Sequence, residues 1–377
     1  MQLSIQAEIL SKIVSIVEKA TKPKHTLPEL ATILIEVGKD KTEFTATDME
    51  MQLSASLPIG SSQGGKVAVY AQAFARYIAT LDPQDQVELE IKDKYLVVKS
   101  RGSQARFNTV DPEKFPKMQV PALKDFVAVD RVVLADALTK TLFATLKGDD
   151  TRPVLGGVYF DGSKKTLVLV ALDTFRMSVF DTKVDVKDKQ SFVAPFKPLS
   201  LFEKIIKDAF ISGLFGDEDV KIAVSADLTL LELRFGQMVV HTKLIEGSYP
   251  DYKAILPSEF NVVGSVETAP FNGALRRIGI FAQQAIGRQV LFTVKEEELV
   301  LSAVAQESGE GIESVPGKFE GKDLPLKIGF QYKFLTEFLS VIDADQIEMR
   351  FIDPISTAVF LPKGDERFLH IIMPLKL

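Results

Sequence analysis

An apolar, alternating segment that runs through a short turn into a second strand recurs three times, and this repeat confines the 377-residue chain to units of one design. The copies are LPELATILIEVGKDKTEFTATDMEMQLS (27–54), TRPVLGGVYFDGSKKTLVLVALDTFRMSV (151–179) and the weakest, GRQVLFTVKEEELVLSAVAQESGEG (287–311). After a helical stretch each is followed by another strand pair closing on an aromatic or Met plus Pro: Phe115-Pro116, Tyr249-Pro250 and Met373-Pro374. A period of about 125 residues is too long for a solenoid unit and suits a compact domain. Three similar domains are expected, at 1–124, 125–256 and 257–377, with the Pro-bearing segments 116–125 and 250–259 as connectors.

Within each third the hydrophobic period switches from two to 3.6 at two places, which marks strands interrupted by two helices. The six helical stretches are 7–20, 70–81, 130–146, 195–209, 268–285 and 331–342, the first with Ile9, Ile13, Ile16 and Val17 on one stripe. Segments such as VELEIKDKYLVVKS (87–100) alternate around a Lys-Asp-Lys turn and read as hairpins. The expected class is α+β, with helices against antiparallel sheets.

No run reaches the roughly 20 apolar residues a membrane helix needs. The first residues, MQLSIQAEILSKIVSIVEK, lack a basic leader, and Glu8 and Lys12 interrupt any signal-like run, so cytoplasmic residence is expected. The absence of cysteine excludes disulfide scaffolds, thiolate metal sites and thiol catalysis. A net charge of −6 argues against a uniformly basic nucleic-acid binder. Its distribution is uneven: the windows 7–24, 70–82, 130–147, 196–208, 268–288 and 331–342 hold about 15 Lys and Arg against about 8 Asp and Glu, roughly +7, which leaves roughly −13 on the remainder. One basic helical face is therefore expected.

Enzyme signatures fail one by one. GSSQGGK (60–66) has the glycine and lysine spacing of a phosphate-binding loop, but Val67 stands where the magnesium-binding hydroxyl belongs, and KVAVY continues as a strand. The same context excludes a nucleophile elbow at residues 60–64. His25, His241 and His370 are scattered, and His370 reads as a packed strand residue. Asp149-Asp150 and Asp217-Glu218-Asp219 read as solvated turns rather than a two-metal site. No catalytic, metal or cofactor constellation is expected.

Several blocks, in order, are similar to the bacterial DNA polymerase III β subunit family of sliding clamps. They are TLPELATILIEV with TATDMEM, TRPVLGGVYF with ALDTFRMSV, LIEGSYPDYKAILP, LKIGFQYKFLTEFL and IIMPLKL, and together they cover essentially the whole chain. The resemblance implies a head-to-tail homodimeric ring of six domains around duplex DNA, bound without sequence preference. Its implied partners are the DNA polymerase III α subunit, the clamp loader and other replication and repair proteins carrying clamp-binding peptides. It further implies that Lys12, Lys24, Arg76, Lys197, Arg277 and Arg288 face DNA. Arg101, Arg106 and Phe107 would meet Ile280, Phe281, Glu307, Glu310 and Glu313 of a second copy. A partner-peptide pocket would comprise Arg152, Leu155, Thr174, Phe175, Arg176, Met177, Pro250, Ile255, Ile371, Ile372, Met373, Pro374, Leu375, Lys376 and Leu377, with Arg152 and Arg176 as its polar rim. Leu172 and Phe175 depart from the Thr and the His or Tyr usual in the family, and Ala254 from a usual Arg or Lys. The classes weighed against this were a nucleotide-dependent enzyme using residues 60–66 and a repeat adhesin without DNA binding.

Overall fold

A computed structural model describes every residue except Asp149, Asp150, Lys164, Lys187, Asp188, Lys189, Asp217 and Leu377. The acidic pair at 149–150, the first residue of the acidic triplet and the pocket residue Leu377 therefore lie outside the described residues. The chain packs as two compact units, one of Met1–Ala135 with Lys197–Leu244 and one of Asp136–Phe196 with Ile245–Leu377. Each is built on one antiparallel sheet of 12 strands.

Neighbouring strands of the first sheet are Gln2–Gln6, Gln86–Lys92, Tyr95–Ser100, Ser103–Val110, Gly65–Tyr70, Thr32–Val37, Thr42–Thr47, Met51–Leu57, Met238–Lys243, Leu230–Phe235, Val220–Ser225 and Leu123–Val129. Those of the second are Ser191–Pro195, Gly157–Asp161, Thr166–Leu172, Arg176–Asp185, Phe368–Ile372, Ala358–Pro362, Gln346–Phe351, Val262–Glu267, Gly309–Gly321, Glu298–Ala305, Gln289–Val294 and Leu326–Gln331. The expected boundary at 124/125 falls inside strand Leu123–Val129.

Among the described residues there are seven α-helices: α1 Ala7–Val17, α2 Ala71–Ile78, α3 Arg131–Leu142, α4 Phe196–Lys207, α5 Ala209–Phe215, α6 Thr268–Ala282 and α7 Tyr332–Leu339. Six answer to the expected stretches. The additional α5 begins at Asp208, whose carboxylate accepts from the Phe210 and Ile211 amides and restarts the helix after a break. In α1 the buried stripe is Leu10, Ile13, Val14 and Val17, an i, i+3, i+4, i+7 set, whereas Ile9 and Ile16 are only half-buried. The cores rest on phenylalanine: Phe271, Phe292, Phe330 and Phe360 pack in sequence at ring separations of 5.9, 5.1 and 5.4 Å. Each such side chain contributes about 1.5–3 kcal/mol on burial.

Register makes the repeat explicit. Thr32, Gly157 and Gln289 open the first strands of the three copies and stand opposite Tyr70, Pro195 and Gln331, the residues just ahead of α2, α4 and α7. Counting on by the strand period makes Leu34, Tyr159 and Leu291 equivalent. Their cross-strand partners are Thr45, Val170 and Ser302, and two residues further are Thr47, Leu172 and Val304. Likewise Ala68, Val193 and Gly329 pair with Val110, Ile245 and Leu375. Pro116 and Pro250 lie beyond this bridge and Pro374 before it, so the expected correspondence of the three Pro dipeptides does not extend to the third.

The second repeat is divided between the sheets. Strand Met51–Leu57 of the first repeat pairs with Met238–Lys243 of the second, from Met51 opposite Thr242 to Ala55 opposite Met238. Arg176–Asp185 of the second pairs with Phe368–Ile372 of the third, from Arg176 opposite Ile372 to Phe180 opposite Phe368. These two seams use equivalent strands. Each satisfies the N–H and C=O groups that an edge strand would otherwise leave open.

Candidate partner-peptide pocket and nucleic-acid interface

At the seam between second and third repeats the chain turns at Asp173. Its carboxylate accepts from the Phe175 and Arg176 amides, both at 3.1 Å, and Thr174 is forced to a φ of 77°. A β-branched residue rarely adopts that conformation, so the turn is strained. The first repeat makes the same turn at Asp48, which accepts from Glu50 and Met51 at 3.1 and 2.9 Å and holds Met49 at φ 73°. The third copy lacks the Asp and turns instead through residues 306–308 into Gly309 (φ 95°), with Ala305 opposite Gly309.

Arg176 is not a rim residue. Its side chain is 4% exposed, donates to Asp173 at 2.9 Å and to the Phe143 carbonyl at 2.8 Å, and pairs with Glu337. The guanidinium lies 4.6 Å from the Phe334 ring and 5.3 Å from that of Phe143. Buried among these partners, it fastens the turn to α7 instead of standing on a rim. Arg152 is exposed and open to a ligand.

Leu155, Met177 and Ile371 are buried in one cluster with Val168, Val170, Leu172 and Tyr252 and would form the floor of the expected pocket; Ile372 is buried beside them in the strand. Phe175 (59% exposed), Met373 (48%) and Ile255 (41%) stand above the floor. Thr174, Pro250 and Lys376 are also exposed, while Pro374 and Leu375 are half-buried. The chain past Phe368–Ile372 is held by the Met373 amide donating to the Phe175 carbonyl and the Leu375 amide donating to Gly329, both at 2.8 Å. Leu172 in place of a hydroxyl residue thus deepens the apolar floor.

Sequence reasoning missed Phe143, Phe334 and Glu337, which position Arg176, and Ile355, which is 79% exposed just ahead of strand Ala358–Pro362. An anchor beneath the segment that follows Pro250 was also missed. Tyr252 donates to Asp161 at 2.6 Å and Lys253 lies 3.0 Å from the same carboxylate. Burial pushes the Asp161 carboxyl up, but hydrogen bonds from Ser163, Tyr252 and Lys253 outweigh it and hold it well below the usual carboxylate range.

The six expected DNA-facing cations are dispersed. Arg76 is exposed in the last turn of α2. Lys24 is exposed in the loop after α1 rather than on it, and Arg288 is exposed in the turn after α6 at φ 50°. The others carry acidic partners: Lys12 pairs with Asp208, Lys197 with Asp48 at 2.6 Å, and Arg277 with both oxygens of Glu313 at 2.7 Å. Hydrogen bonding from Arg277 holds the Glu313 carboxyl below its ordinary value. Glu313 is therefore engaged within its own chain and is not a free seam charge. Such exposed pairs are weak and can exchange one anion for another.

Of the other expected seam residues, Arg101, Arg106, Glu307 and Glu310 are exposed. Phe107 is half-buried edge-on to Phe74 and Tyr77, at 5.6 and 5.5 Å. Ile280 is 61% exposed, and Phe281 packs so closely on Gly311 that a Cβ there would lie 2.7 Å from its ring.

The phosphate-loop reading has no support. Gly60 and Gly64 are required by packing, since a Cβ on them would lie 2.0 Å from the Lys39 carbonyl oxygen and 2.7 Å from that of Val37. Lys66 begins a strand and pairs with Glu36 at 3.1 Å. The cleft beside Gly60 and Ser61 is lined by Glu88 and Glu90, which repel phosphate. Among the described residues no helix is long and apolar enough to cross a membrane.

Family models for the DNA polymerase III beta subunit match along the chain: the N-terminal domain at residues 1–119, the central domain at 128–251 and the C-terminal domain at 253–376. The beta sliding clamp of Staphylococcus aureus is 26% identical over 369 residues, covering 95% of this chain and 94% of its own. That of Halalkalibacterium halodurans is 26% identical over 391 residues, covering all of both chains. The crystal structure of the DNA polymerase III beta subunit from Thermotoga maritima superposes with a TM-score of 0.90 at 24% identity, covering 100% of this chain and 99% of that one. With three successive domain models matched along its length, the chain belongs to the DNA polymerase III beta subunit family.

Proposed function

We propose that two copies of this chain close head to tail into a ring that encircles duplex DNA and acts as a processivity factor, without base readout and without a reaction of its own. The observation that carries this reading is that one kind of seam occurs twice inside the chain while its two complementary edges are left open. Through the Val110, Ile245 and Leu375 equivalence, residues 103–107 correspond to residues 238–242 and to Phe368–Ile372. Through the Thr47, Leu172 and Val304 equivalence, Gly309 and Glu310 correspond to Met51 and Gln52 and to Arg176 and Met177. Pairing the open edge of Ser103–Val110 with that of Gly309–Gly321 in another copy sets Phe107 opposite Gly309 and Arg106 opposite Glu310. Each chain carries one edge of each kind, so two contacts close a ring.

The three domains divide near the positions read from sequence, the first division falling ahead of Leu123. Lys12, Lys24, Arg76, Lys197, Arg277 and Arg288 contact phosphates, which replace Asp208, Asp48 and Glu313 as counter-charges. Weak, sequence-blind contacts of this kind permit sliding. The pocket around Phe175, Ile255 and Met373 takes short peptides of the DNA polymerase III α subunit, the clamp loader and other replication and repair proteins in the cytoplasm. No cofactor is required.

Sedimentation is expected to give twice the chain mass, and changing Ile280 to Ala with Phe281 to Lys should give monomers. Protein loaded on nicked circular DNA should survive a salt rise and escape on linearisation; equal retention on both forms contradicts encirclement. Changing Lys24, Lys197 and Arg277 together to Glu should impair loading and leave the dimer intact. Deleting residues 373–377 should abolish binding of a Gln-x-x-Leu-x-Phe peptide without altering the mass.

A further inference from the structure

We infer that the outward sheet face of the third repeat, in the cleft between Ile286 and Val304, is a second docking site for an extended apolar segment of a partner protein. Equivalent positions on the three faces differ sharply: Thr47 is 0% exposed, Leu172 5% and Val304 66%. The first two are covered by the Pro-bearing segment that follows each repeat. In the first, Phe115 packs on Leu34, and the Met118 amide donates to the Gln52 side-chain oxygen at 3.0 Å. In the second, Tyr249 stacks on Tyr159 at 4.6 Å, and Leu256 and Phe260 pack against the cluster that holds Leu172.

Among the described residues no segment covers the third face. In its place is a cleft of about 820 Å³ lined by Ile286, Gln289, Leu291, Ser302, Val304 and Glu307, among others. Ile286 at one rim is 83% exposed. The Gln289 side-chain nitrogen is out of solvent and has no hydrogen-bond partner. A buried donor left unpaired costs free energy, and a carbonyl of an extended ligand would satisfy it, as Gln52 is satisfied by the cover of the first repeat. The missing occupant is thus specified by its two counterparts: an extended segment with a main-chain carbonyl over Gln289 and an aromatic or branched side chain over Leu291 and Val304. The turn holding Ile286 also adjoins the pocket described above, since a Cβ on Gly287 would lie 3.8 Å from Leu375.

The proposal rests on the clamp reading only in taking this face to border, not to form, the seam between copies. Its test uses the full chain and a fluorescently labelled peptide of residues 249–260, YPDYKAILPSEF, the natural cover of the second repeat. Saturable binding by fluorescence anisotropy is expected. The exposed-site changes Val304→Glu and Ile286→Glu should each weaken it at least tenfold, while an excess of Gln-x-x-Leu-x-Phe peptide should not displace it. Absence of saturable binding, indifference to both substitutions, or displacement by that competitor overturns the proposal. Conversion to monomers by Val304→Glu also overturns it, because the face would then be a contact between copies. The wild-type dimer mass and retention on circular DNA test the clamp reading separately.

Discussion

The two seams inside the chain share strand pairing, an Asp-anchored turn and a hydrogen bond from the returning strand, yet only one presents exposed apolar side chains, Phe175 and Met373, at the residues that bond joins. At the first seam the Lys243 amide donates to the Glu50 carbonyl at 3.0 Å, at the second the Met373 amide donates to that of Phe175 at 2.8 Å. Around this common backbone the side chains diverge. The first seam is closed by ion pairs whose lysines are exposed, Lys197 with Asp48 and Lys243 with Glu50. The second has Phe175 and Met373 at those places and buries its one charged anchor, Arg176, among two aromatic rings and two carboxylates. Backbone repetition thus supplies the scaffold, and exchange of two surface charges for Phe and Met converts a charged seam into an apolar one.

The contrast is broken most severely at Arg176. Arg176→Ala leaves Asp173 without its counter-charge and Glu337 with only Lys333 at 3.7 Å, and should destabilise by about 3–5 kcal/mol in chemical denaturation. The first-seam change Lys197→Ala removes a pair whose lysine is exposed and should cost less than about 1 kcal/mol. Similar losses at both would show that the seams are held alike.

Acid should separate the seams next. His370 is buried in the second seam, its Nδ1 2.8 Å from Ser178 Oγ and its ring stacked on Phe338. Burial, and secondarily the Arg176 charge, hold its pKa well below the ordinary histidine value. The unfolded chain then takes up the proton first, so the neutral imidazole's contribution is present above about pH 6.5 and is lost as pH falls below it. Hydrogen-exchange protection factors, which remove the intrinsic slowing of exchange in acid, should fall between pH 7 and pH 5 more in strands Arg176–Asp185 and Phe368–Ile372 than in Met51–Leu57, and His370→Gln should flatten that difference. A smaller effect is expected at the turns. Thr174→Gly should stabilise by less than about 1 kcal/mol by relieving the positive φ, and by more than Met49→Gly, because Thr is β-branched. A thermal melt comparing the two resolves this.

Much of this organisation was legible in the sequence because it depends on local periodicity. The three alternating copies and six helices follow from spacing alone, and the family membership follows from the quoted blocks. What failed was the environment of individual side chains. Arg176 looks like an exposed turn residue until Phe143 and Glu337, distant in sequence, enclose it. Glu313 looks like a free strand charge until α6 presents Arg277 to it. Val304 is indistinguishable from Leu172 by alternation, and they differ only in whether a later segment folds back over them. Spacing places Ile9 and Ile16 on the stripe where the fold buries Leu10 and Val14, because an apolar helix offers more than one stripe.

The most direct test of ring closure uses the absence of cysteine from the chain. Arg106→Cys combined with Glu310→Cys places one thiol on each open edge, at positions the internal seams predict to lie opposite each other between copies. Mild oxidation should give a covalent dimer of twice the chain mass, and this species should stay on nicked circular DNA in high salt and leave it after linearisation. The offset pair Arg106→Cys with Ser314→Cys should cross-link poorly. A protein that stays monomeric, or that links equally well in both registers, contradicts the account.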